Sequence, residues 1–381
     1  MSKRYVNIAL ALLLTLGIAG AASAAPSPKP PAAPPPASKS TPLDSIIEEA
    51  KKEGAISLWI DFEYAIEPFL QRLKKEISAS YGVNLDIKCT ATQSGAKTAT
   101  QVIAEKKAGK ASDYDLISIA LTTFPAIMQE SAFTQVDWKP LLIKGTDPQA
   151  ILEYKNAGFP VIRAQAEGGY FYNPTKVPAD KKPKTSSDFA DPMWKGKVGI
   201  FNFPGPVARF VQATAEQVGS LEKAKDVLRA ILNNGAFIGD TGAVANRYLL
   251  GELWMGITQV HAVTWAQDKG VPAEYQLLGP LTINETFVFL PPGLKHPNAA
   301  KLVALYLASP AGAKLCWEVG RTGNYLYPGN STYDAVQQAK KEGRRIKYAA
   351  RDKDEIEMMD SPEFLKLQKE SLQILQGGQK R

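Results

Sequence analysis

From Leu43 onward, short apolar segments alternate with amphipathic helices, and this order leaves few folds open. Apolar residues recur at helical spacing over 43–53 and 66–80, and short apolar runs typical of buried strands occupy 55–60, 83–89 and 114–119. Strands that alternate with helices form parallel sheets covered on both faces. The sequence therefore predicts an α/β architecture in which ligands bind beyond the carboxyl ends of the strands.

The same alternation resumes after Tyr170 and indicates a second lobe. Strands are expected at 198–203, 237–239 and 257–263, and helices at 221–232 and 243–251. Residues 285–290 would carry the chain back, followed by two late helices at 298–307 and 311–319. We find no short-period internal repeat. The fold class expected is α/β, with two doubly wound lobes.

The N-terminus has the pattern of a secretory signal peptide. Lys3 and Arg4 precede an apolar run at 6–18, and Ala22-Ser23-Ala24 supplies a cleavage site, so we assign 1–24 to the signal. No cysteine follows the run to carry a lipid anchor, and we expect a periplasmic protein that diffuses freely. Residues 25–42 are rich in proline and alanine, and we interpret them as a semi-rigid linker.

Composition excludes several classes of function. The 381 residues carry a formal charge of +7, but the lysines are interspersed with acidic residues, which indicates a solvated surface rather than a nucleic-acid interface. With two histidines in the chain, zinc sites and histidine-based triads lack material, and no hydrolase motif appears, so no enzyme is expected. Cys89 and Cys316 could form a disulfide or remain two buried thiols, and both alternatives stay open.

A collinear series of motifs resembles one family, the periplasmic solute-binding proteins of ABC importers, in the branch related to ferric-ion binders. The resemblance runs over 43–327. Its sharpest block is Asp191-Pro192-Met193-Trp194-Lys195-Gly196-Lys197, in which we expect Trp194 to anchor a loop of the second lobe. The other matching stretches are 49–54, 103–109 leading into 113–116, 171–174, 250–252 and 296–301.

The resemblance implies a two-lobed, type II-like binding protein that closes about a hinge. It places the first part of lobe 1 at 43–165, lobe 2 at 166–282, and the return to lobe 1 with C-terminal helices at 283–381. Two crossing segments, near 163–171 and 278–287, would join the lobes. The implied partners are a small-molecule solute and an importer permease in the inner membrane. A monomer is expected, with no cofactor, no resident metal and no nucleic acid.

Two alternatives follow from the same resemblance. Ferric members hold iron chiefly with two adjacent tyrosines, and those positions fall here on His261 and Ala262, while the aligned first-lobe positions fall near Glu63 and Ala120. Ferric iron prefers several anionic oxygen donors, so this set favours another solute. The second alternative is a sensory module that binds a solute and signals to a membrane receptor, because the same scaffold serves both roles.

Loops after the strand ends supply the residues expected to line the cleft. The two helix starts at Ser94-Gly95 and Thr241-Gly242 favour an anionic organic or phosphorylated solute, whereas Asp61, Glu63 and Asp240 would suit a cation or an amine. Each of these residues also has a capping or turn interpretation. The candidate ligand-binding residues are Asp61, Phe62, Glu63, Ser94, Gly95, Thr122, Thr123, Asn202, Gly205, Thr241, Gly242, His261 and Trp265.

Overall fold

Local sequence signals set the first helix, α1. In the computed structural model, which describes residues 40–92, 95–121, 124–359 and 361–379, α1 spans Pro42–Glu53. Thr41 is the N-cap, and Asp44 completes a capping box with it. Pro42, assigned to the linker from the sequence, is thus the first helical residue. The predicted signal peptide and the rest of the linker lie outside the described residues.

The described chain contains helices and strands in mixed order, and Ser40–Arg381 forms one unit. The further helices are α2 Glu67–Tyr81, α3 Gly95–Lys107, α4 Phe124–Gln129, α5 Pro204–Val218, α6 Leu221–Asn233, α7 Thr241–Leu249, α8 Ala262–Asp268, α9 Pro297–Ala308, α10 Pro310–Glu318, α11 Ser331–Lys341, α12 Lys353–Met359 and α13 Pro362–Gln379. The strands are β1 Ala55–Asp61, β2 Asp86–Thr92, β3 Leu116–Ala120, β4 Ile151–Tyr154, β5 Ala157–Tyr172, β6 Val198–Phe201, β7 Phe237–Gly239, β8 Met255–Ile257, β9 Glu274–Phe289 and β10 Ile346–Tyr348.

One sheet runs through the described chain in the order β2-β1-β3-β9-β5-β8-β6-β7. Strands β2, β1 and β3 are parallel to one another, and so are β8, β6 and β7. The long strands β9 and β5 lie between these groups and pair antiparallel with each other; β9 also pairs antiparallel with β3, and β5 with β8. Two parallel groups joined by a pair of crossing strands give the expected α/β architecture of two lobes.

Each parallel group has its own hydrophobic core. In the first lobe, α9 packs against α1, β1, β5 and α10, and every residue from Ala299 to Ala308 except Lys301 is buried. In the second lobe, β6 packs with α5 and α6, and Trp194 is buried in the same core, as expected from the sequence. Helix α13 lies on α5 and α6, so the end of the chain joins the second lobe's core.

Two carboxylates, those of the buried Asp115 and the half-buried Glu53, anchor α9 in the first lobe. Asp115 accepts hydrogen bonds from the backbone amides of Ser57, Lys295 and His296, and its other contact is the His296 Nδ1 at 2.8 Å. Glu53 accepts from the amides at the start of α9. Anionic acceptors stabilise a helix N-terminus, because its first amides have no partner within the helix.

The carboxyl ends of the two parallel groups face each other across the crossing strands. β3 ends at Ala120, which pairs with Thr286 of β9. Thr286 also pairs with Arg163 of β5, so the end of β3 lies level with Arg163. From the opposite direction, the chain after β8 reaches β5 where the Val260 amide donates to the Ala166 carbonyl. Three residues of β5, about 10 Å, separate these points. Loops from both lobes therefore converge on one short stretch of β5.

The crossing strands lose their regular register just beyond this stretch. The pairing of β5 with β9 shifts between Glu167 and Gly169, so that 278–281 of β9 bulges opposite Gly168. Gly168 has φ +124°, and a Cβ there would lie 2.2 Å from the Pro280 carbonyl oxygen. The two crossing strands are therefore irregular at the same level, next to the stretch on which the loops converge.

Two strand predictions are wrong in their bounds. Residues 257–263 are not a strand, because β8 ends at Ile257 and α8 begins at Ala262; a short segment of mixed apolar and polar residues does not distinguish a strand from a helix. The strand expected at 83–89 begins instead at Asp86, and the apolar Val83 and Leu85 are buried in the segment before it. Cys89 and Cys316 are free thiols.

Candidate functional site

A row of polar side chains forms the floor between the lobes. Alternation along β5 places Arg163, Gln165 and Glu167 on one face, while Ala164 and Ala166 face the other way and pack in the cluster that includes α11. Opposite the three polar residues, β9 contributes Thr286, Asn284 and Thr282 in register. We call these six residues the interlobe floor. The loops that follow the strands of both lobes contact it.

The first lobe brings two carboxylates to Arg163. Glu63 Oε1 accepts a hydrogen bond from Arg163 Nη1 at 2.9 Å, and Asp61 Oδ2 lies 2.8 Å from Nη2. Ser118 Oγ donates to the other oxygen of Asp61, and Arg163 Nε donates to Thr286. We call Asp61, Glu63 and Arg163 the arginine cluster. Burial, together with the charge of Glu63, raises the pKa of Asp61, although Arg163 opposes the shift.

The second lobe presents His261 and Trp265 to the same region. His261 is 2% exposed, and its ring lies edge to face with Trp265 at 4.6 Å. Burial, aided by the positive charge of Arg163, lowers the pKa of His261 to about 3, so the ring is neutral at pH 7. Trp265 lines an open groove with Asp268 and Arg321, whose ion pair of 2.8 Å joins the second lobe to the first.

Gln259 connects the second lobe to the floor. Its Nε2 donates to Glu167 Oε1 at 3.0 Å and to Gln165 Oε1 at 3.2 Å, and its Oε1 accepts from Thr241 Oγ1 at 2.7 Å. Thr241 also shares a hydrogen bond with Thr258. Burial raises the pKa of Glu167. These bonds hold the loop after β8 and the start of α7 against the crossing strands.

A small cavity adjoins the floor at its second-lobe end. It measures about 50 Å³ and is lined by Glu167, Gly168, Arg209, Lys347 and Glu355 among others. Arg209 Nη1 donates to Asn284 at 3.3 Å, and Nη2 lies 3.5 Å from Glu355 Oε2. Lys347 lies 3.4 Å from the same carboxylate group. The two cations and two carboxylates here compensate one another.

The predicted ligand residues do not all meet at this floor. Asp61, Glu63, Thr241 and His261 contribute to it. Phe62 is 62% exposed, Asn202 is exposed, and Gly205 is buried in the first turn of α5. Gly95 begins α3, and Gly242 lies in the first turn of α7 beside its N-cap Asp240, which accepts from the Ala243 amide. Ser94, Thr122 and Thr123 lie outside the described residues.

Neither a metal centre nor a membrane span appears in the part of the chain that the structure describes. No three side chains among its His, Cys, Asp and Glu residues are grouped as metal ligands. No described helix is long and apolar enough to cross a bilayer.

The sequence profile of the bacterial extracellular solute-binding proteins matches residues 72–345. The chain belongs to this family. A search of curated protein sequences finds no match. The family assignment confirms the resemblance drawn from the motifs, and it agrees with a site formed where loops of two lobes converge.

Solved structures of solute-binding proteins share this fold. The substrate-binding protein of an ABC transporter from Agrobacterium tumefaciens matches at TM-score 0.64 and 12% identity over 84% of this chain and 94% of its own. The spermidine/putrescine protein PotD from Streptococcus pneumoniae matches at 0.60 and 15% over 84% and 99%. Iron-bound HitA from Pseudomonas aeruginosa matches at 0.53 and 18% over 69% and 84%. At these identities the likeness concerns the fold.

Several residues of the floor, and others that contact it, were not predicted from the sequence. Arg163, Gln165 and Glu167 fall at every second position of an otherwise apolar segment, which is a signal that sequence reading could have used. Gln259 and Arg209 gave no such signal. Their positions depend on where α5 and the loop after β8 meet the crossing strands.

Proposed function

We propose that this protein is the substrate-binding component of an ABC importer, capturing a small polar solute between its lobes and delivering it to the permease. The observation that carries the proposal is the interlobe floor, where polar groups of both lobes meet on the crossing strands. Membership of the solute-binding family supports it, and so do the roles of PotD and the Agrobacterium protein as substrate-binding proteins of ABC transporters. Its location would be periplasmic, with binding rather than catalysis as its activity.

Capture would occur by hinge closure. The register break at Gly168 and the bulge at 278–281 give both crossing strands a bending point beside the floor. Ligand contacts from both lobes stabilise the form in which the lobes meet, and the ion pair of Asp268 with Arg321 adds a contact between them. The closed form is the one that a permease would recognise.

The sequence favours an anionic solute, because the helix N-termini at Ser94-Gly95 and Thr241-Gly242 could bind an anion. The structure describes the second of these N-termini in full. At α7, the carboxylate of Asp240 already accepts from the Ala243 amide, so a residue of the chain occupies that N-terminus. Iron has less support, because the two positions that adjacent tyrosines occupy in ferric members fall here on His261 and Ala262. Both solutes remain in the test.

The test is native mass spectrometry of the protein purified from the periplasm, followed by a thermal-shift screen. The screen contains sugar phosphates, phosphonates, carboxylates, amines and ferric ion. A bound small molecule, or one class that raises the melting temperature, supports a receptor role, and small-angle scattering should then show compaction. Binding without compaction would contradict hinge closure. Uptake of the bound compound should fail in a deletion strain; normal uptake would favour the sensory alternative.

A further inference from the structure

With both carboxylates ionised, the arginine cluster has one negative charge more than its guanidinium balances. Asp61 and Glu63 share the guanidinium of Arg163. The exposed fraction of the side chain is 15% for Asp61, 8% for Glu63 and 10% for Arg163. Their formal sum is one negative charge. His261, the titratable group approaching from the second lobe, is neutral and adds no positive charge.

Two carboxylate oxygens in the cluster lack a well-directed donor. Glu63 Oε2 is buried without a hydrogen-bond partner among the described residues, and Asp61 Oδ2 has the ion pair with Arg163 but no well-directed hydrogen bond. A buried carboxylate oxygen without a donor costs free energy, and more so when the charge is unbalanced. Among the described residues, the first lobe thus holds a paired acceptor site that no donor of the chain fills.

The two cations at the opposite end of the floor lie too far away to balance this charge. Arg209 and Lys347 lie at the Glu167 end, where Glu355 contacts both of them. Glu167 is four residues from Arg163 along β5, which corresponds to about 13 Å. The Coulomb interaction over that distance is much weaker than at contact, and those cations already face Glu167 and Glu355.

We infer that the solute carries a cationic amine, which binds Glu63 Oε2 and Asp61 Oδ2 when the lobes close. This inference rests on the proposed function. An ammonium group supplies three N–H donors and the missing positive charge, and it forms charge-assisted bonds to carboxylates. The neutral His261 ring and Trp265 approach from the second lobe and offer an acceptor nitrogen and an aromatic surface to the rest of the solute.

The decisive variant is Glu63→Gln. Glutamine keeps an acceptor for Arg163, leaves Asp61 to balance the guanidinium one to one, and places an amide donor where an ammonium would donate. The unliganded variant should therefore melt at a higher temperature than the wild type, whereas amine binding should weaken at least tenfold. Glu153→Gln removes a 66%-exposed carboxylate of β4 and is the matched control, with neither effect expected.

The binding measurement uses ethanolamine, putrescine, spermidine, agmatine and choline against fructose 6-phosphate, citrate and ferric ion. The expected result is stabilisation of the wild type and of Glu153→Gln by an amine, with little or none for Glu63→Gln. The inference is overturned if no amine stabilises the wild type, or if an amine stabilises Glu63→Gln equally. A non-amine compound that binds with compaction would overturn it while leaving the proposed function in place. Amine binding without compaction would uphold the site and contradict closure.

Discussion

Acid should destabilise this protein through His261, and the size of the effect follows from its burial beside Arg163. The folded-state pKa is about 3, against 6.5 for the free side chain. Between these values the unfolded chain binds a proton that the folded chain rejects, so the free energy of unfolding falls as the pH falls through this window. For one group with these values, the loss between pH 8 and pH 5 is about 2 kcal/mol.

The assay is urea unfolding at pH 8 and pH 5 for the wild type and His261→Gln. The glutamine variant should lose about 2 kcal/mol less than the wild type over this interval. Burial raises the pKa values of Asp61 and Glu167, so through these groups acid stabilises the folded chain instead of destabilising it. Both proteins contain these two carboxylates, and comparing their acid losses cancels most of this contribution to the free energy of unfolding. Equal acid losses in the wild type and His261→Gln would refute the burial of His261 against Arg163.

Three further variants test separate parts of the fold. Asp115→Asn should lower the free energy of unfolding in urea by about 2 kcal/mol, because the new amide nitrogen would face a backbone N–H donor. The exposed Asp113→Asn is the control and should change it little. Equal effects of the two variants would contradict the role of Asp115 in anchoring α9. Gly168→Ala should lower the melting temperature far more than Gly145→Ala, since both have positive φ but only Gly168 lacks room for a Cβ. Arg321→Gln should cost under about 1 kcal/mol in stability yet weaken solute binding severalfold, and unchanged affinity would remove the ion pair with Asp268 from closure.

Much of the architecture could be predicted because local patterns and packing agree. Local signals in the sequence predict the end of α1 at Gly54, the helical periodicity of α2 and a loop anchored by Trp194. The structure has α1 ending at Gly54, α2 as a helix and Trp194 buried. The strand predicted at 257–263 was wrong because this mixed segment fits a strand or a helix equally well. In the structure the Val260 amide donates to the Ala166 carbonyl of the crossing strand β5, and β8 has already ended. Tertiary contacts, absent from a local reading, set the end of β8.

The candidate site was predictable only in part for a related reason. Asp61 and Glu63 follow a predicted strand end, so their position near a cleft could be deduced. Their partner Arg163 is a hundred residues from Glu63 in the chain, and the ion pair depends on the pairing of β5 with β9. The sequence therefore indicated free carboxylates, whereas the structure shows carboxylates that already share a guanidinium.

The most direct test of solute capture between two hinged lobes is the distance between the lobes in solution. Spin labels at Lys75→Cys on α2 and Lys223→Cys on α6, two exposed positions, would report it in a Cys89→Ser background, in which Cys316 is buried. The probe compound is the one that raises the melting temperature most in the screen. Hinge closure predicts a shorter and narrower distance distribution at saturation. An unchanged distribution at saturating compound would contradict it.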